Sequence, residues 1–360
     1  MVSFKRFSIL KISSSPEHSF SLLDISEQYF ISLLGKSIFL TGMTGFFGYP
    51  FLKLLIYYKN LHSDSAPIYV CTRDKNAAIQ RLCLIDDVDF ISWIIGDIES
   101  LVFYGSVDLI IHGASTSSFD KFAGATPLKR LSTIVDGTEN IIRIASSCSA
   151  SRVLFISSGS VYGNSAEISC PLSETSCFGP NVTDDSEACY SEAKRFAELK
   201  LLLASESMAF DVVIARCFAF IGPLLPLNLH FSVGNFIGCA FDNTPIVLRG
   251  DGSAVRSYMY TYDLAIWLAA ILTKGRNLTA YNVGSDFPVS IFDLSHIVRD
   301  VLNPSLSVTF SSNQRRQLNR NTSASSFYVP SIERAKSHLG VSVWTSLHES
   351  IASVSPSATC

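Results

Sequence analysis

The strongest constraint on this chain is a glycine-spaced turn between two apolar segments, followed far downstream by a tyrosine and a lysine four residues apart. The turn reads Thr41-Gly42-Met43-Thr44-Gly45-Phe46-Phe47-Gly48, with an apolar run at 37–41 before it and helical apolar spacing over 49–58 after it. A strand that turns on glycines directly into a helix brings backbone N–H groups to a helix N-terminus, where a pyrophosphate can bind. The spacing is G-x-x-G-x-x-G rather than G-x-G-x-x-G, so the flanking strand and helix carry the assignment. Gly42, Thr44, Gly45, Phe46, Phe47 and Gly48 are therefore expected at a dinucleotide cofactor. Downstream, Tyr190-Ser191-Glu192-Ala193-Lys194 sets a phenol and an amine at i and i+4, on one helix face.

The rest of the chain supplies a frame for both motifs. Short apolar runs at 37–41, 68–71, 91–95, 109–111, 152–156 and 212–215 alternate with helical patterns at 49–58, 133–147 and 188–205. Near-continuous apolar strands separated by helices predict an α/β fold, a Rossmann-type doubly wound parallel sheet. After Pro223 loops lengthen, Gly, Pro and Asn become frequent, and helices are expected at 262–274 and 291–302. This divides the chain into an N-terminal extension (1–34, helical around 20–34), a dinucleotide-binding domain with the catalytic residues (35–222), and a smaller, mainly substrate-binding C-terminal lobe (223–360). Some segments of that lobe are expected to return to the first sheet.

Composition narrows the partners. With 48% hydrophobic and 16% charged residues over 360 positions, the chain can bury a large core and does not read as disordered. A net charge of -3 leaves no electrostatic footprint for nucleic acid. The nine cysteines form no C-x-x-C pair, and no histidines have metal-ligand spacing, so no metal is expected and the thiols read as reduced. The first ten residues mix Lys5 and Arg6 with apolar residues and do not read as a secretory signal. The most apolar stretch, 31–58, is broken by Lys36, Lys53 and several glycines, short of the ~18 uninterrupted apolar residues of a spanning helix. A cytoplasmic protein with no membrane partner is the expectation.

The end of the second strand separates the two nicotinamide cofactors. An acidic residue there binds the ribose 2′-hydroxyl, and a basic one accepts a 2′-phosphate. Here the strand ends Cys71-Thr72-Arg73-Asp74. Arg73 favours NADP(H), while Asp74 keeps NAD(H) open. Asp97 is placed for the adenine edge, and His112-Gly113-Ala114-Ser115 lines the cofactor with small residues, Ala114 among them. His112 reads as structural, because nothing near it needs a base.

An ammonium beside a phenol favours the phenolate, so Lys194 is expected to lower the Tyr190 pKa from ~10 toward the working range. That suits a general acid/base for interconverting a hydroxyl and a ketone. Lys194 can also hold the nicotinamide ribose. Ser158, just past the fifth strand, can hydrogen-bond the same substrate oxygen and settle the developing alkoxide.

On these residues the chain resembles the extended short-chain dehydrogenase/reductases that act on nucleotide sugars. The resemblance runs from about Ser37 to Leu347 and includes Ile156-Ser-Ser-Gly-Ser-Val-Tyr-Gly163, Arg216-Cys-Phe-Ala-Phe-Ile-Gly-Pro223, Gly250-Asp-Gly252, Arg256-Ser-Tyr258, Tyr262-Asp-Leu264 and Tyr281-Asn-Val-Gly284. It implies Asn235 and Arg256 over the substrate, the guanidinium on the diphosphate, and Ser160 beside Ser158 at the sugar. It also implies a homodimer formed through the helix bearing Tyr190. The block 218–236 is similar to a subgroup found in bacterial polysaccharide clusters.

One departure from the family pattern narrows the chemistry. Its 4,6-dehydratases carry an Asp-Glu pair right after the catalytic Ser/Thr, and related decarboxylases keep a Glu there. This chain has Gly159 and Ser160. Without a carboxylate, proton abstraction at C5 and acid-assisted elimination have no agent. Glu192, at i+2 from Tyr190, points elsewhere on the helix. Reduction of a 4-keto sugar by NADPH and 4-epimerisation with tightly bound NAD both need only Ser, Tyr, Lys and a nicotinamide. Arg73 favours the reductase: dTDP-4-dehydro-6-deoxyglucose to a dTDP-fucose-type 6-deoxyhexose, for a surface polysaccharide such as O-antigen. A non-catalytic NADP-binding role is set against Ser158, Tyr190 and Lys194 all being present.

Overall fold

A computed structural model of the chain describes residues 16–82, 89–115, 124–163, 170–176, 188–227, 232–311 and 327–355. The chain starts with helix α1 (Pro16–Phe30), then β1 (Ile38–Thr41), α2 (Tyr49–Leu61), β2 (Ile68–Thr72), α3 (Lys75–Leu82), β3 (Ile91–Ile95), β4 (Leu109–His112), α4 (Pro127–Ser147), β5 (Arg152–Ser158), α5 (Ala188–Ser207) and β6 (Asp211–Cys217). The second part holds β7 (Phe220–Ile221), α6 (Ser232–Phe241), β8 (Ile246–Leu248), β9 (Val255–Arg256), β10 (Met259–Tyr260), α7 (Thr261–Lys274), β11 (Thr279–Val283), β12 (Val289–Ser290), α8 (Ile291–Leu302), β13 (Val308–Phe310), β14 (Phe327–Tyr328), α9 (Glu333–Leu339) and α10 (Leu347–Ala352).

Seven strands form one parallel sheet in the order β3-β2-β1-β4-β5-β6-β11. This is the doubly wound arrangement that the apolar runs predict. Every residue of β1 and β4 is buried, as expected for strands covered on both faces. Strand order reverses between β1 and β4, so a crevice opens at their carboxyl ends. The register levels those ends: Thr41 lies beside Cys71 and His112, and Ser158 beside Cys217. Strand β11, from the second half of the sequence, completes the sheet next to β6.

Caps define two helix starts that apolar spacing does not predict. Helix α3 has too few apolar residues to be read from periodicity. It starts because Asp74 accepts a hydrogen bond from the Ala77 N–H at 3.0 Å. Apolar spacing predicts a helix over 133–147, but α4 begins at Pro127, where the Thr126 hydroxyl accepts from the Lys129 N–H at 3.2 Å.

Helix α7 is apolar on all sides and is buried from Thr261 to Leu272. Such a helix needs cover beyond the sheet, and α1 and α2 supply it. Leu22, Leu23, Tyr29 and Phe30 of α1 are buried in the main core, with the Phe30 ring 5.3 Å from Phe51 and 5.6 Å from Tyr58. The Tyr58 hydroxyl donates to the Leu23 carbonyl at 2.6 Å. A separate apolar core, including Ile237, Leu248, Leu294, Val298 and Ile351, builds the smaller lobe. There β9 pairs with both β12 and β14, and Tyr328 lies opposite Arg256. Among the described residues, no helix is long and apolar enough to cross a membrane, and no side-chain cluster could hold a metal ion.

The three turn glycines are needed for different reasons. A Cβ on Gly42 would lie 2.3 Å from the Gly113 carbonyl carbon, and the residue sits at φ +73°. A Cβ on Gly48 would lie 2.1 Å from Met43 Cα. Gly45 meets nothing closer than 3.9 Å, so its face of the turn is open. Gly48→Ala is therefore expected to cost more than ~2 kcal/mol in denaturant unfolding, as a backbone clash. Gly35→Ala carries only left-handed strain (φ +72°, open surroundings) and is expected to cost ~1 kcal/mol. Equal losses would contradict this division.

Candidate active site

Tyr190, Lys194 and Glu198 stand on successive turns of α5 and share one face. That face meets the carboxyl ends of β5 and β6. Lys194 is 2% exposed; its ammonium donates to the Ile156 carbonyl at 2.8 Å and lies 4.6 Å from the centre of the Phe155 ring. Burial lowers the Lys194 pKa to about 8, against the support of Glu198. Glu198 accepts from the Ser157 hydroxyl and, at 2.7 Å, from the Arg216 guanidinium. Burial opposes the Arg216 charge, but Glu198 more than restores it. Arg216 also donates to the Tyr162 hydroxyl at 3.2 Å, and Tyr162 donates to Asn282.

Tyr190 faces the hydroxyls of Ser158 and Ser115. Burial pushes its phenol up, and the two hydroxyls and the more distant Arg130 charge pull it down only in part. This corrects the expectation that Lys194 brings the phenol toward neutrality. The ammonium sits 6.0 Å from the ring centre and its proton is turned to Ile156, so desolvation wins. Ser158 accepts from the Ser160 N–H at 3.1 Å at the start of a short 3₁₀ turn. The Ser160 hydroxyl is buried with no hydrogen-bond partner among the described residues, as suits a group awaiting a ligand.

A second phenol, Tyr328, reaches this centre from β14. Its oxygen covers Gly159, its ring lies 4.6 Å from Phe218, and the Arg256 guanidinium stands 5.8 Å above it. No motif marks Tyr328 in the sequence; pairing with β9 places it there. Arg256 is thus brought near Ser158, whereas Asn235 is half-buried in the first turn of α6, and no described contact joins it to that cluster.

At the cofactor side, the Thr44 carbonyl accepts from Arg81 at 3.1 Å, a contact sequence reading does not anticipate because Arg81 belongs to α3. Phe46 and Phe47 pack edge to face at 5.6 Å, and Phe47 meets Phe220 at 5.0 Å. Both rings are half-buried and pack against the main core. Arg73 and Asp97 are exposed at the ends of β2 and β3. The Ala114 N–H donates to the Thr41 hydroxyl at 3.1 Å. His112 is fully buried between Thr41 (2.9 Å) and Thr138 (3.4 Å); burial, then the Lys194 charge, lower its pKa to about 3, so it is a neutral structural residue. The open side of Gly45, at the start of α2, fits the approach of a pyrophosphate.

The buried ammonium carries a stability signature. Because the folded-state pKa of Lys194 is about 8 against an ordinary 10.5, the unfolded chain binds more protons between those values. Stability attributable to this residue therefore climbs across that window. Relative to Lys194→Met, the native protein is expected to gain roughly 3 kcal/mol between pH 8 and pH 10.5 in denaturant titrations. A pH-independent difference would contradict the burial of a charged lysine.

Comparison with known proteins agrees with the geometry. UDP-glucuronic acid decarboxylase 1 of Arabidopsis thaliana is 30% identical over 246 residues, 68% of this chain and 53% of that protein. The chain spans about half the length of the curated relatives it matches first. Among solved structures, the UDP-N-acetylglucosamine 4-epimerase of Methanobrevibacter ruminantium, in complex with UDP-N-acetylmuramic acid, superposes with a TM-score of 0.73 at 20% identity, covering 89% of this chain and 97% of that one. The dTDP-glucose 4,6-dehydratase DesIV of Streptomyces venezuelae, with NAD bound, gives 0.70 at 22% identity, covering 88% and 94%. A family model described as "NAD dependent epimerase/dehydratase family" matches residues 38–284. That match takes in more than half of the chain, which therefore belongs to the NAD dependent epimerase/dehydratase family.

Proposed function

We propose that this protein transfers hydride between a nicotinamide cofactor and C4 of a nucleotide sugar, and that its net reaction is reduction of a 4-keto sugar by NADPH. The observation that carries the proposal is the space at residue 159. A carboxylate there would serve elimination or decarboxylation, but even a Cβ would lie 2.4 Å from the Tyr328 hydroxyl. Among the described residues at the centre, Ser158, Tyr190 and Lys194 suffice for hydride chemistry, and none of them is a carboxylate suited to C5 proton abstraction.

Bound NADPH would supply the hydride. Tyr190 gives its proton to the carbonyl oxygen as C4 is reduced, so a phenol kept protonated by burial suits the reductive direction. Ser158 and the orphan hydroxyl of Ser160 hold the sugar, and Arg256 takes the diphosphate. NADPH is favoured over NADH because Asp74 caps α3, while the exposed Arg73 at the end of β2 would take a 2′-phosphate. The proposed substrate is dTDP-4-dehydro-6-deoxyglucose, reduced in the cytoplasm to a 6-deoxyhexose for a surface polysaccharide. A homodimer through α5 is proposed from its outer face, where Phe196, Leu199 and Leu203 are about half exposed at helical spacing.

Mixing the protein with NADPH and dTDP-4-dehydro-6-deoxyglucose is expected to consume the cofactor stoichiometrically and yield a 6-deoxyhexose nucleotide by NMR. Tyr190→Phe should cut kcat by ~10³ with cofactor affinity kept, and Arg73→Ala should narrow the preference for NADPH over NADH by ~10-fold. Full activity in Tyr190→Phe would overturn the assignment. Absence of NADPH oxidation, together with retained NAD and interconversion of 4-epimers, would replace the reductase with an epimerase. Leu199→Glu is expected to convert a dimer to a monomer in light scattering; an unchanged mass would remove α5 as the interface.

A further inference from the structure

The run Tyr281-Asn282-Val283-Gly284 at the end of β11 takes no part in the hydride chemistry, yet Asn282 is wholly buried and its amide is engaged on both sides. Its Oδ1 accepts from the Tyr162 hydroxyl. Its Nδ2 donates to two carbonyls, Leu172 at 2.8 Å and Ser331 at 3.0 Å. Carbonyls only accept, so the amide is held in one orientation. The Asn282 N–H donates to the Glu174 carboxylate at 3.0 Å. Beside it in register on β6, Arg216 donates to the Tyr162 hydroxyl at 3.2 Å and to the Glu174 carbonyl at 3.1 Å.

These bonds converge on the chain that follows β14. The Leu172 N–H donates to the Val329 carbonyl at 2.8 Å, and the Ser331 N–H donates to the Leu172 carbonyl at 2.7 Å. Asn282 closes this pair, because the two carbonyls it reaches belong to Leu172 and Ser331. Gly284 leaves the room for it: a Cβ there would lie 3.0 Å from Pro330 and 3.1 Å from Phe218. Tyr328 directly precedes this tied segment and lies opposite Arg256 on β9. We infer that Asn282 is a positioning residue: by donating to Leu172 and Ser331 it seats β14 on the central sheet, which holds the Tyr328 hydroxyl over Gly159 and, through β9, Arg256 beside it. A carboxylate in place of the amide would turn an oxygen to both carbonyls and lose both bonds. The inference rests on the substrate site proposed around Ser158 and Arg256, but its first test needs no turnover.

The test reads the seat of Tyr328 by ¹⁹F NMR of 3-fluorotyrosine placed at position 328 of the full chain, with a second sample labelled at the buried Tyr262 of α7 as control. Asn282→Asp keeps the shape and the acceptor toward Tyr162. It is expected to shift the resonance at 328 and to leave that at 262 in place. Asn282→Ser, too short to reach both carbonyls, should give the same pattern. Tyr162→Phe removes only the hydroxyl on the acceptor side and should leave the resonance at 328 unmoved. With dTDP-4-dehydro-6-deoxyglucose as substrate, Asn282→Asp should raise the sugar KM ~10-fold and keep the NADPH KM, because the substrate wall alone moves. An unmoved resonance at 328 in both Asn282 variants, equal displacement at 328 and 262, an equal shift in Tyr162→Phe, or a KM rise shared by NADPH would overturn the inference. The expected shifts in a protein that does not oxidise NADPH with the 4-keto sugar would instead refute the proposed reaction and leave the role of Asn282 standing.

Discussion

The arrangement depends on one buried column of charge. Tyr190, Lys194 and Glu198 descend a single face of α5, and each is tied to the end of β5 or β6. Lys194 binds the Ile156 carbonyl, and Glu198 binds Ser157 and Arg216. Burying an ammonium and a carboxylate costs several kcal/mol each before pairing, so a slipped helix would strand both charges. A slip of one turn is about 5.4 Å, more than any of these bonds can stretch. The position of Tyr190 against Ser158 is thus set by residues one and two turns further along. The smaller lobe then adds Tyr328 and Arg256 from above, on strands that among the described residues pair with each other and with β12.

Much of this was legible in the sequence, for a local reason. Strands buried on both faces are apolar at nearly every position, so β1, β4, β5 and β6 announce themselves; the edge strand β3 is equally apolar though only half-buried. The glycine turn and the Tyr190/Lys194 pair are each confined to one turn of chain. Glu198 lay on the same helical stripe but had no visible partner, because Arg216 is supplied by another strand. Helix α3 and the start of α4 escaped because caps, not apolar spacing, define them. Tyr328 escaped for a stronger reason: its place is fixed by pairing across the lobe, with Arg256 and Phe218 as neighbours. The direction of the Tyr190 pKa was misjudged because adjacency on a helix gives the partner but not the desolvation.

Relatives with this fold are named as decarboxylases, epimerases and dehydratases, so the fold does not select the reaction. On the proposed account a single exchange of volume does. At residue 159 a carboxylate and the Tyr328 hydroxyl compete for one space, and here the phenol holds it. The exchange replaces a base able to take a carbon-bound proton with a neutral phenol. What remains is a site able to move one hydride and one hydroxyl proton.

The most direct test of that account follows the fate of hydrogen at two carbons. The protein would be incubated with dTDP-4-dehydro-6-deoxyglucose and NADPH deuterated at the transferring carbon, and separately with unlabelled cofactor in D₂O, with the product read by NMR. The account predicts deuterium from the cofactor at C4 and none from solvent at C5. Solvent deuterium at C5 would mean that a base acts there, and would contradict the claim that the site performs hydride transfer alone.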